Sequence, residues 1–224
     1  MEFRVFPPLY AILDVDLTAG GGPTPDEVAA AWFDAGVRLM QLRAKCLQSG
    51  PFLELADRLA ARALAAGATF IVNDRADIAR LSGAAGVHVG QQDLSPADVR
   101  QILPAPAVIG LSTHNQTQVE AALSQPIDLG YVAIGPVFAT RSKAQPDPTV
   151  GLQGVRNTRR TIERMTGTSP ACPIVAIGGI TVERAADVIE AGATSVAVIS
   201  DLLGGRPGAR ARAFLRELGP GQVI

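Results

Sequence analysis

Cysteine and lysine are both scarce in this chain. Among its 224 residues there are two cysteines, Cys46 and Cys172, which lie far apart. Their spacing matches no zinc or redox motif, so we expect two free thiols rather than a disulfide framework or a metal cage. Of the 20 basic residues, all but Lys45 and Lys143 are arginines. A compact ammonium group at only two positions directs attention to both of them.

The chain also has no excess of positive charge and no long apolar run. Its formal net charge is -1, which gives no reason to expect nucleic acid or an anionic membrane as a partner. No run of eighteen apolar residues occurs, and residues 1–10 contain no apolar stretch of signal-peptide length. We therefore expect a cytoplasmic protein that acts on small molecules. Any anion must be bound by a local cluster of cations.

Short β-branched runs alternate with Ala-rich segments of helical period along the whole chain, as in repeated βα units around a parallel sheet. Helix-start signals follow at Thr24, Ser95 and Thr181. The predicted strands span residues 9–15, 39–44, 69–73, 86–90, 107–112, 131–135, 173–178 and 195–200.

Eight such units in a chain that is 47% hydrophobic predict one (β/α)8 TIM barrel over residues 1–224. The rival is an open doubly wound sheet, which more usually has a glycine-rich dinucleotide turn after its first strand. The glycines at 20–22 are not followed by a helix at the required spacing. Oligomeric state stays open, and a homo-oligomer is one expectation because small barrels often pair.

The second predicted strand, "LMQLRAK", ends in an unusual set of polar side chains. Side chains alternate along a strand, so Gln41, Arg43 and Lys45 share one face, whereas Leu42 and Ala44 share the other. In a barrel of this type the carboxyl ends of the strands build the active site. A guanidinium and an ammonium in register can bind a diphosphate. The alternative is an ordinary strand end with solvated cations.

Two carboxylates follow the third and fourth predicted strands. Asp74 and Asp93 come at the ends of neighbouring strands, where they can hold one Mg²⁺, since that ion typically takes one or two carboxylates together with phosphate oxygens and water. Each has a local alternative: Asp74 can cap the helix that follows it, and Asp93 can bond within the loop before Ser95.

Other candidates lie at the remaining strand ends. The seventh strand ends in Gly178 and Gly179, where this fold usually binds phosphate, although they would equally permit a tight turn. Lys143 lies in a long loop after the sixth strand, of the kind that often covers an active site. His88 is interpreted as a core histidine, and His114 as either a helix start or a site residue.

Six motifs in order resemble the thiamine phosphate synthase family over nearly the whole chain: "QLRAK", "NDRADIA", "GVHVGQQDL", "GLSTHN", "GPVFATRSK" and "VAIGGI". The resemblance implies a transferase that couples hydroxymethylpyrimidine diphosphate to hydroxyethylthiazole phosphate. The products are thiamine phosphate and pyrophosphate, and a dissociative, carbocation-like mechanism is implied. This chain departs from the family at Ala44, where Glu is usual, and at Ser142, where Thr is usual; Ser142 keeps the hydroxyl.

Carried over motif by motif, the resemblance implies roles for particular residues. The pyrimidine diphosphate would be held by Gln41, Arg43, Lys45, Asn73, Ser112 and Lys143. The thiazole phosphate would be held by Thr140, Ser142, Gly179, Ile199 and Ser200. The resemblance also implies a substrate-binding role for four further members of the same motifs, namely Leu42, Ala44, Arg141 and Gly178. Asp74 and Asp93 would bind Mg²⁺, and the catalytic groups would be Arg43, Lys45, Ser112 and Lys143.

Three alternatives stay open. A thiazole tautomerase paralogue would depend on a histidine such as His114, but it has no diphosphate to neutralise. A phosphosugar isomerase or aldolase would need a strand-end Glu base or a lysine within the barrel, and the predicted strands supply neither. The third is a non-catalytic phosphate-binding barrel.

Overall fold

The fold is known from a computed structural model that describes residues 5–18, 22–140, 147–167 and 172–223. The strands in these residues are β1 (Val5–Phe6), β2 (Leu9–Asp14), β3 (Leu39–Arg43), β4 (Thr69–Asn73), β5 (Gly86–Val89), β6 (Val108–Thr113), β7 (Tyr131–Ile134), β8 (Ile174–Ile177), β9 (Ser195–Val198) and β10 (Gln222–Val223). Strands β2 to β9 form a closed parallel barrel in chain order, and β9 pairs with β2. β1 and β10 pair antiparallel outside the barrel. The TIM barrel is thereby confirmed, and the open sheet is excluded.

Helices follow the barrel strands. In the described residues they are α1 (Val15–Thr18), α2 (Pro25–Ala35), α3 (Ser49–Ala65), α4 (Ala76–Leu81), α5 (Pro96–Ile102), α6 (Gln116–Leu123), α7 (Gly151–Thr166), α8 (Val182–Glu190), α9 (Ser200–Leu203) and α10 (Pro207–Leu218). Every one of these helices is too short or too polar to cross a membrane.

The predicted helix starts are confirmed. Thr24 accepts a hydrogen bond from the Glu27 backbone N–H, and the Glu27 carboxylate accepts one from the Thr24 backbone, so the two form a capping box at α2. Ser95 caps α5 by accepting from the Asp98 backbone N–H. Thr181 is the N-cap residue of α8, in extended conformation. These N-caps fix the residue at which each of the three helices begins.

Side chains of β3 and of Ala44, which follows it, alternate between two apolar clusters, as the sequence predicts. Leu39 lies in the inner cluster of the barrel, whereas Met40, Leu42 and Ala44 belong to the outer cluster between the strands and the helices. A strand that is buried on both faces must carry apolar residues on both. Gln41 is a polar exception on the inner face, with only 2% of its surface exposed.

Gly110 in β6 provides the space for a large ring inside the barrel. It pairs with Tyr131 of β7, and a Cβ atom at position 110 would lie 2.1 Å from the Tyr131 ring carbon Cζ. Real side chains do not approach so closely, so any larger residue would push the ring aside. Gly110 therefore determines where the Tyr131 hydroxyl lies.

We predict that Gly110→Ala lowers the free energy of unfolding by about 1–3 kcal/mol, the usual effect of overpacking a dense core. Chemical denaturation followed by circular dichroism measures this. Gly50→Ala is the control, because a Cβ at this position of α3 meets no atom within 4 Å and should leave stability unchanged or slightly raised. Equal stability of the two variants would show that the Tyr131 ring moves at no cost.

Candidate active site

Arg43 and Asp14 form an ion pair at the carboxyl ends of β3 and β2. The two residues are partners in the parallel register, and Arg43 Nη1 contacts Asp14 Oδ2. The Asp14 side chain is 2% exposed and that of Arg43 is 20% exposed. Burial raises the pKa of the Asp14 carboxyl, and the positive charge of Arg43 opposes that rise. The Arg43 guanidinium is thus held in place at the rim.

Asp14 contacts a predicted site residue, Arg43, and the sequence analysis assigns it no role. The available signal was the one used for Asp74, a carboxylate at the end of a predicted strand. Asp14 lies inside the run "LYAILDV", where the pattern predicts only an ordinary strand residue. Its role in orienting Arg43 depends on the pairing of β2 with β3, which the sequence does not display.

Lys45 lies beyond the last residue of β3, in the turn that follows. Its ammonium Nζ is 3.3 Å from Asp74 Oδ2 at the end of the next strand. Beside this pair is an open cleft of about 240 Å³, whose lining includes Lys45, Asn73, Asp74 and Phe52. The predicted cation and the predicted metal ligand therefore lie together.

Asp74 and Asp93 also lie side by side. Burial raises the pKa of the Asp74 carboxyl; the neighbouring Asp93 carboxylate raises it further by charge repulsion, and Lys45 partly opposes the rise. Asp93 Oδ2 accepts a hydrogen bond of 2.7 Å from the Gly90 backbone N–H, so the loop after β5 holds this carboxylate. The two acids from neighbouring strands form a concentrated negative charge.

The backbone at Asp74 excludes the simpler capping role. Asp74 has a φ of 62° and is the only non-glycine residue in the described part of the chain with a positive φ. Residues other than Gly, Asn and Asp rarely adopt this backbone conformation. The N-cap of α4 falls on Arg75 instead. A strained backbone at a rim residue is typical of positions that serve a site.

The donor set fits a magnesium ion. Mg²⁺ is commonly bound by one or two carboxylates and completes its coordination with water and substrate phosphate oxygens. Two adjacent carboxylates, one with a raised pKa, match this requirement because a cation between them would relieve their repulsion. Across the described ranges, no group of three or more His, Cys, Asp and Glu residues converges as a potential metal cage.

Three predicted substrate-binding residues lie at the barrel mouth. Gln41 and Asn73 are buried, with 2% and 8% of their surfaces exposed. Gln41 donates a hydrogen bond to the Tyr10 hydroxyl, and Ser112 Oγ is 2.8 Å from His88 Nε2. These contacts orient the polar groups at the mouth. Leu42 and Ala44 face the helices instead, so any contact with a ligand would come from their backbone groups.

The glycine pair after β8 makes a sharp turn. Gly178 and Gly179 have φ values of 106° and 61°, and a Cβ on Gly179 would lie 2.5 Å from the Ala139 carbonyl oxygen. The turn therefore requires glycine at both positions. Ile199 is the N-cap of α9 and Ser200 its first residue, and Thr140 is the last described residue before positions 141–146. Phosphate binding at this corner stays a prediction.

Arg141, Ser142 and Lys143 lie outside the described residues, so their assigned roles also stay predictions.

His114 is held by groups of the protein itself. Its Nδ1 is 2.7 Å from the Gly135 carbonyl oxygen, and its Nε2 is 3.6 Å from Asp147 Oδ2. Its backbone N–H donates to the Gln118 side chain at the start of α6. These contacts favour the interpretation of His114 as a helix-start residue.

Comparison with known proteins points to one family. The family model described as "Thiamine monophosphate synthase" matches residues 9–202. A thiamine-phosphate synthase of Koribacter versatilis is 44% identical over 217 residues, which is 95% of this chain and 96% of that protein. One from Methanoregula boonei is 39% identical over 196 residues, covering 88% of this chain and 85% of that protein.

A solved structure agrees with these relatives. Thiamine phosphate pyrophosphorylase from Pyrococcus furiosus superposes with a TM-score of 0.82 at 26% sequence identity, over 97% of this chain and 98% of that one.

Proposed function

This chain belongs to the thiamine monophosphate synthase family and is a transferase of the thiamine-phosphate synthase type, and we propose that its barrel rim joins a pyrimidine diphosphate to a thiazole phosphate. The observation that carries the proposal is the cluster at the ends of β3, β4 and β5. There Lys45 contacts Asp74, Asp74 lies beside Asp93, and Arg43 at the end of β3 is paired with Asp14. A diphosphate with its magnesium ion needs this combination of cations and carboxylates.

The assignment of roles follows from charge. Asp74 and Asp93 would hold Mg²⁺, which when bound supplies positive charge to the diphosphate oxygens. Arg43, already oriented by Asp14, grips the diphosphate as a planar fork, and Lys45 adds a point charge. Lys143 is proposed to contribute a third cation from the β7–α7 loop.

The reaction proposed here needs no nucleophilic side chain. The C–O bond between the pyrimidine methylene and the diphosphate breaks, and its electron pair leaves with pyrophosphate. The cationic residues stabilise that growing charge, which lowers the barrier directly. The lone pair of the thiazole nitrogen then forms the new C–N bond. Its approach is set by a thiazole phosphate bound at the Gly178–Gly179 corner, so that step is accelerated by positioning.

The partners of this reaction are small molecules, and a cytoplasmic location follows as part of the proposal because both precursors are soluble phosphate esters. Nucleic acid and membranes are not expected as partners. Homo-oligomerisation stays a prediction.

We predict that purified protein with Mg²⁺ and both substrates releases pyrophosphate only when thiazole phosphate is present. Enzymatic detection of pyrophosphate, with thiamine phosphate identified by its mass, measures the reaction. The Arg216→Ala variant, changed in the last turn of α10, should behave like the parent chain. Pyrophosphate release without thiazole, or conversion of a thiazole tautomer without any pyrimidine diphosphate, would contradict the proposal.

A further inference from the structure

Five polar side chains form a continuous hydrogen-bonded chain across the barrel interior. Gln41 Nε2 is 2.9 Å from the Tyr10 hydroxyl, which is 2.8 Å from the Tyr131 hydroxyl. Tyr131 is 3.0 Å from His88 Nδ1, and His88 Nε2 is 2.8 Å from Ser112 Oγ. We call this set the buried relay. Both of its ends are residues proposed to bind the pyrimidine substrate, whereas its middle lies below the site.

The middle of the buried relay is closed to solvent and tightly packed. Tyr10 and Tyr131 are 1% and 0% exposed. The Tyr131 ring stacks on His88 at an interplanar angle of 9° and meets Tyr10 edge-on at 88°. Gly110 leaves the room for this ring. Burial raises the pKa of both phenols above the ordinary value, so each tyrosine keeps its hydroxyl hydrogen.

The chemistry of the groups gives the relay a single direction. An amide nitrogen can only donate, so Gln41 donates to the Tyr10 oxygen. Each of the two buried hydroxyl hydrogens needs an acceptor, so Tyr10 donates to the Tyr131 oxygen and Tyr131 donates to His88 Nδ1. A neutral imidazole that accepts at Nδ1 carries its hydrogen on Nε2. His88 therefore donates to Ser112.

This direction determines what each end offers to a ligand. The Gln41 amide keeps its carbonyl oxygen as an acceptor, and Ser112 keeps its hydroxyl hydrogen as a donor. In the opposite direction Tyr10 would donate a hydrogen bond to the Gln41 oxygen, and His88 would accept one from the Ser112 hydroxyl. The two ends are thus coupled, because reversing one requires reversing every bond between them.

We propose that Tyr10, Tyr131 and His88 are positioning residues that set the hydrogen-bonding polarity of the pyrimidine site. The inference builds on the proposed function. An aminopyrimidine carries an exocyclic N–H donor, which the Gln41 oxygen accepts, and it also carries acceptors, to which Ser112 donates. An analogue with an oxo group in place of the amine presents an acceptor to an acceptor, so the site rejects it. The buried relay is thereby a determinant of substrate specificity.

The first test is a selectivity measurement on Tyr131→Phe, which removes one hydroxyl and keeps the ring. With the relay interrupted, the Gln41 amide can flip, which exchanges the positions of its oxygen and its nitrogen. We expect the kcat/KM preference for the aminopyrimidine diphosphate over its oxo analogue to fall at least tenfold. The KM for thiazole phosphate should stay unchanged, since that substrate binds at another corner of the rim.

Thr113→Val is the matched control for a purely structural effect. Thr113 is 1% exposed and donates a buried hydrogen bond of 2.8 Å to the Ala133 carbonyl oxygen, but it is not a member of the relay. Both variants should lower the melting temperature to a similar degree, and only Tyr131→Phe should change selectivity. If selectivity is unchanged in both variants, or falls equally in both, the proposal is overturned.

The second test needs no catalysis and so separates this inference from the proposed function. The chain has two histidines, His88 and His114, so ¹⁵N spectra of the labelled protein can be assigned with one His114→Gln variant. We expect His88 to be the neutral tautomer with its hydrogen on Nε2, and the Nδ1 signal to move in Tyr131→Phe. A hydrogen on Nδ1 would mean the opposite direction and would overturn the proposal, whether or not the protein is a synthase.

Discussion

Asp74→Asn is expected to lower turnover by roughly 10²-fold or more, the scale for losing a group that organises charge around a developing anion. Asp74 supplies one of the two adjacent carboxylates and also contacts Lys45. Asparagine tolerates the left-handed backbone at this position, so the fold should survive the change. Steady-state pyrophosphate release at saturating substrates measures the effect. Asp93→Ala should reduce turnover on the same scale.

The same substitution should not weaken the metal-free protein. A carboxyl whose pKa is raised by folding favours the folded state only while it is protonated, and it loses that contribution as the pH rises through its folded pKa. As the pH rises, the ionised form of Asp74 therefore increasingly opposes folding, since it is buried beside Asp93. Asparagine removes that cost, and we expect a melting temperature equal to or above that of the parent chain.

The change in melting temperature on adding magnesium distinguishes a metal-binding role of Asp74 from a purely structural one. Mg²⁺ with the pyrimidine diphosphate should raise the melting temperature of the parent chain, because a ligand that binds only the folded state stabilises it. The shift should be lost in Asp74→Asn and retained in Asp34→Asn, which alters an exposed carboxylate in α2. Full turnover together with a full shift in Asp74→Asn would contradict the metal assignment.

Arg43→Ala is expected to damage stability and activity together. It leaves the buried Asp14 carboxylate without its cation, and breaking a buried ion pair in this way typically costs about 3–5 kcal/mol. Burial already raises the pKa of Asp14, so the unpaired carboxyl should bind a proton more readily. The stability loss should therefore be smaller at pH 5 than at pH 8. Denaturant titrations at the two pH values measure it.

A double variant separates the structural part of this effect from the catalytic part. In Asp14→Asn with Arg43→Gln, the two amides can bond to each other, so most of the lost stability should return. Turnover should stay roughly 10²-fold or more below that of the parent chain, since no charge remains to grip the leaving diphosphate. Recovery of turnover with stability would show that Arg43 serves the fold alone.

Much of the barrel could be predicted from sequence because parallel strands are buried on both faces. Such strands appear as near-continuous hydrophobic runs, and all eight ended within two residues of their predicted limits. The strand period also predicted correctly that Gln41 and Leu42 lie on opposite faces of the strand. Helix starts were recoverable for a similar reason, since a cap such as Thr24 is a local arrangement.

The partners of these residues could not be predicted in the same way. Asp14 lies 29 residues from Arg43, and His88 was interpreted as an ordinary core histidine, although it connects Tyr131 to Ser112. Each of these contacts depends on the register between neighbouring strands and on the closure of the barrel. Neither leaves a periodic signal in the chain.

The amino-acid sequence by itself determined the strand and helix order, the face of each strand residue, and the kinds of charge that reach the rim, because these depend on local period and residue type. Only the tertiary structure decided that Asp14 orients Arg43, that Asp74 and Asp93 repel each other beside Lys45, and that five polar side chains connect across the interior. The physical reason is that hydrogen bonds and ion pairs act over a few ångströms. Such distances between remote segments are set only when the barrel closes.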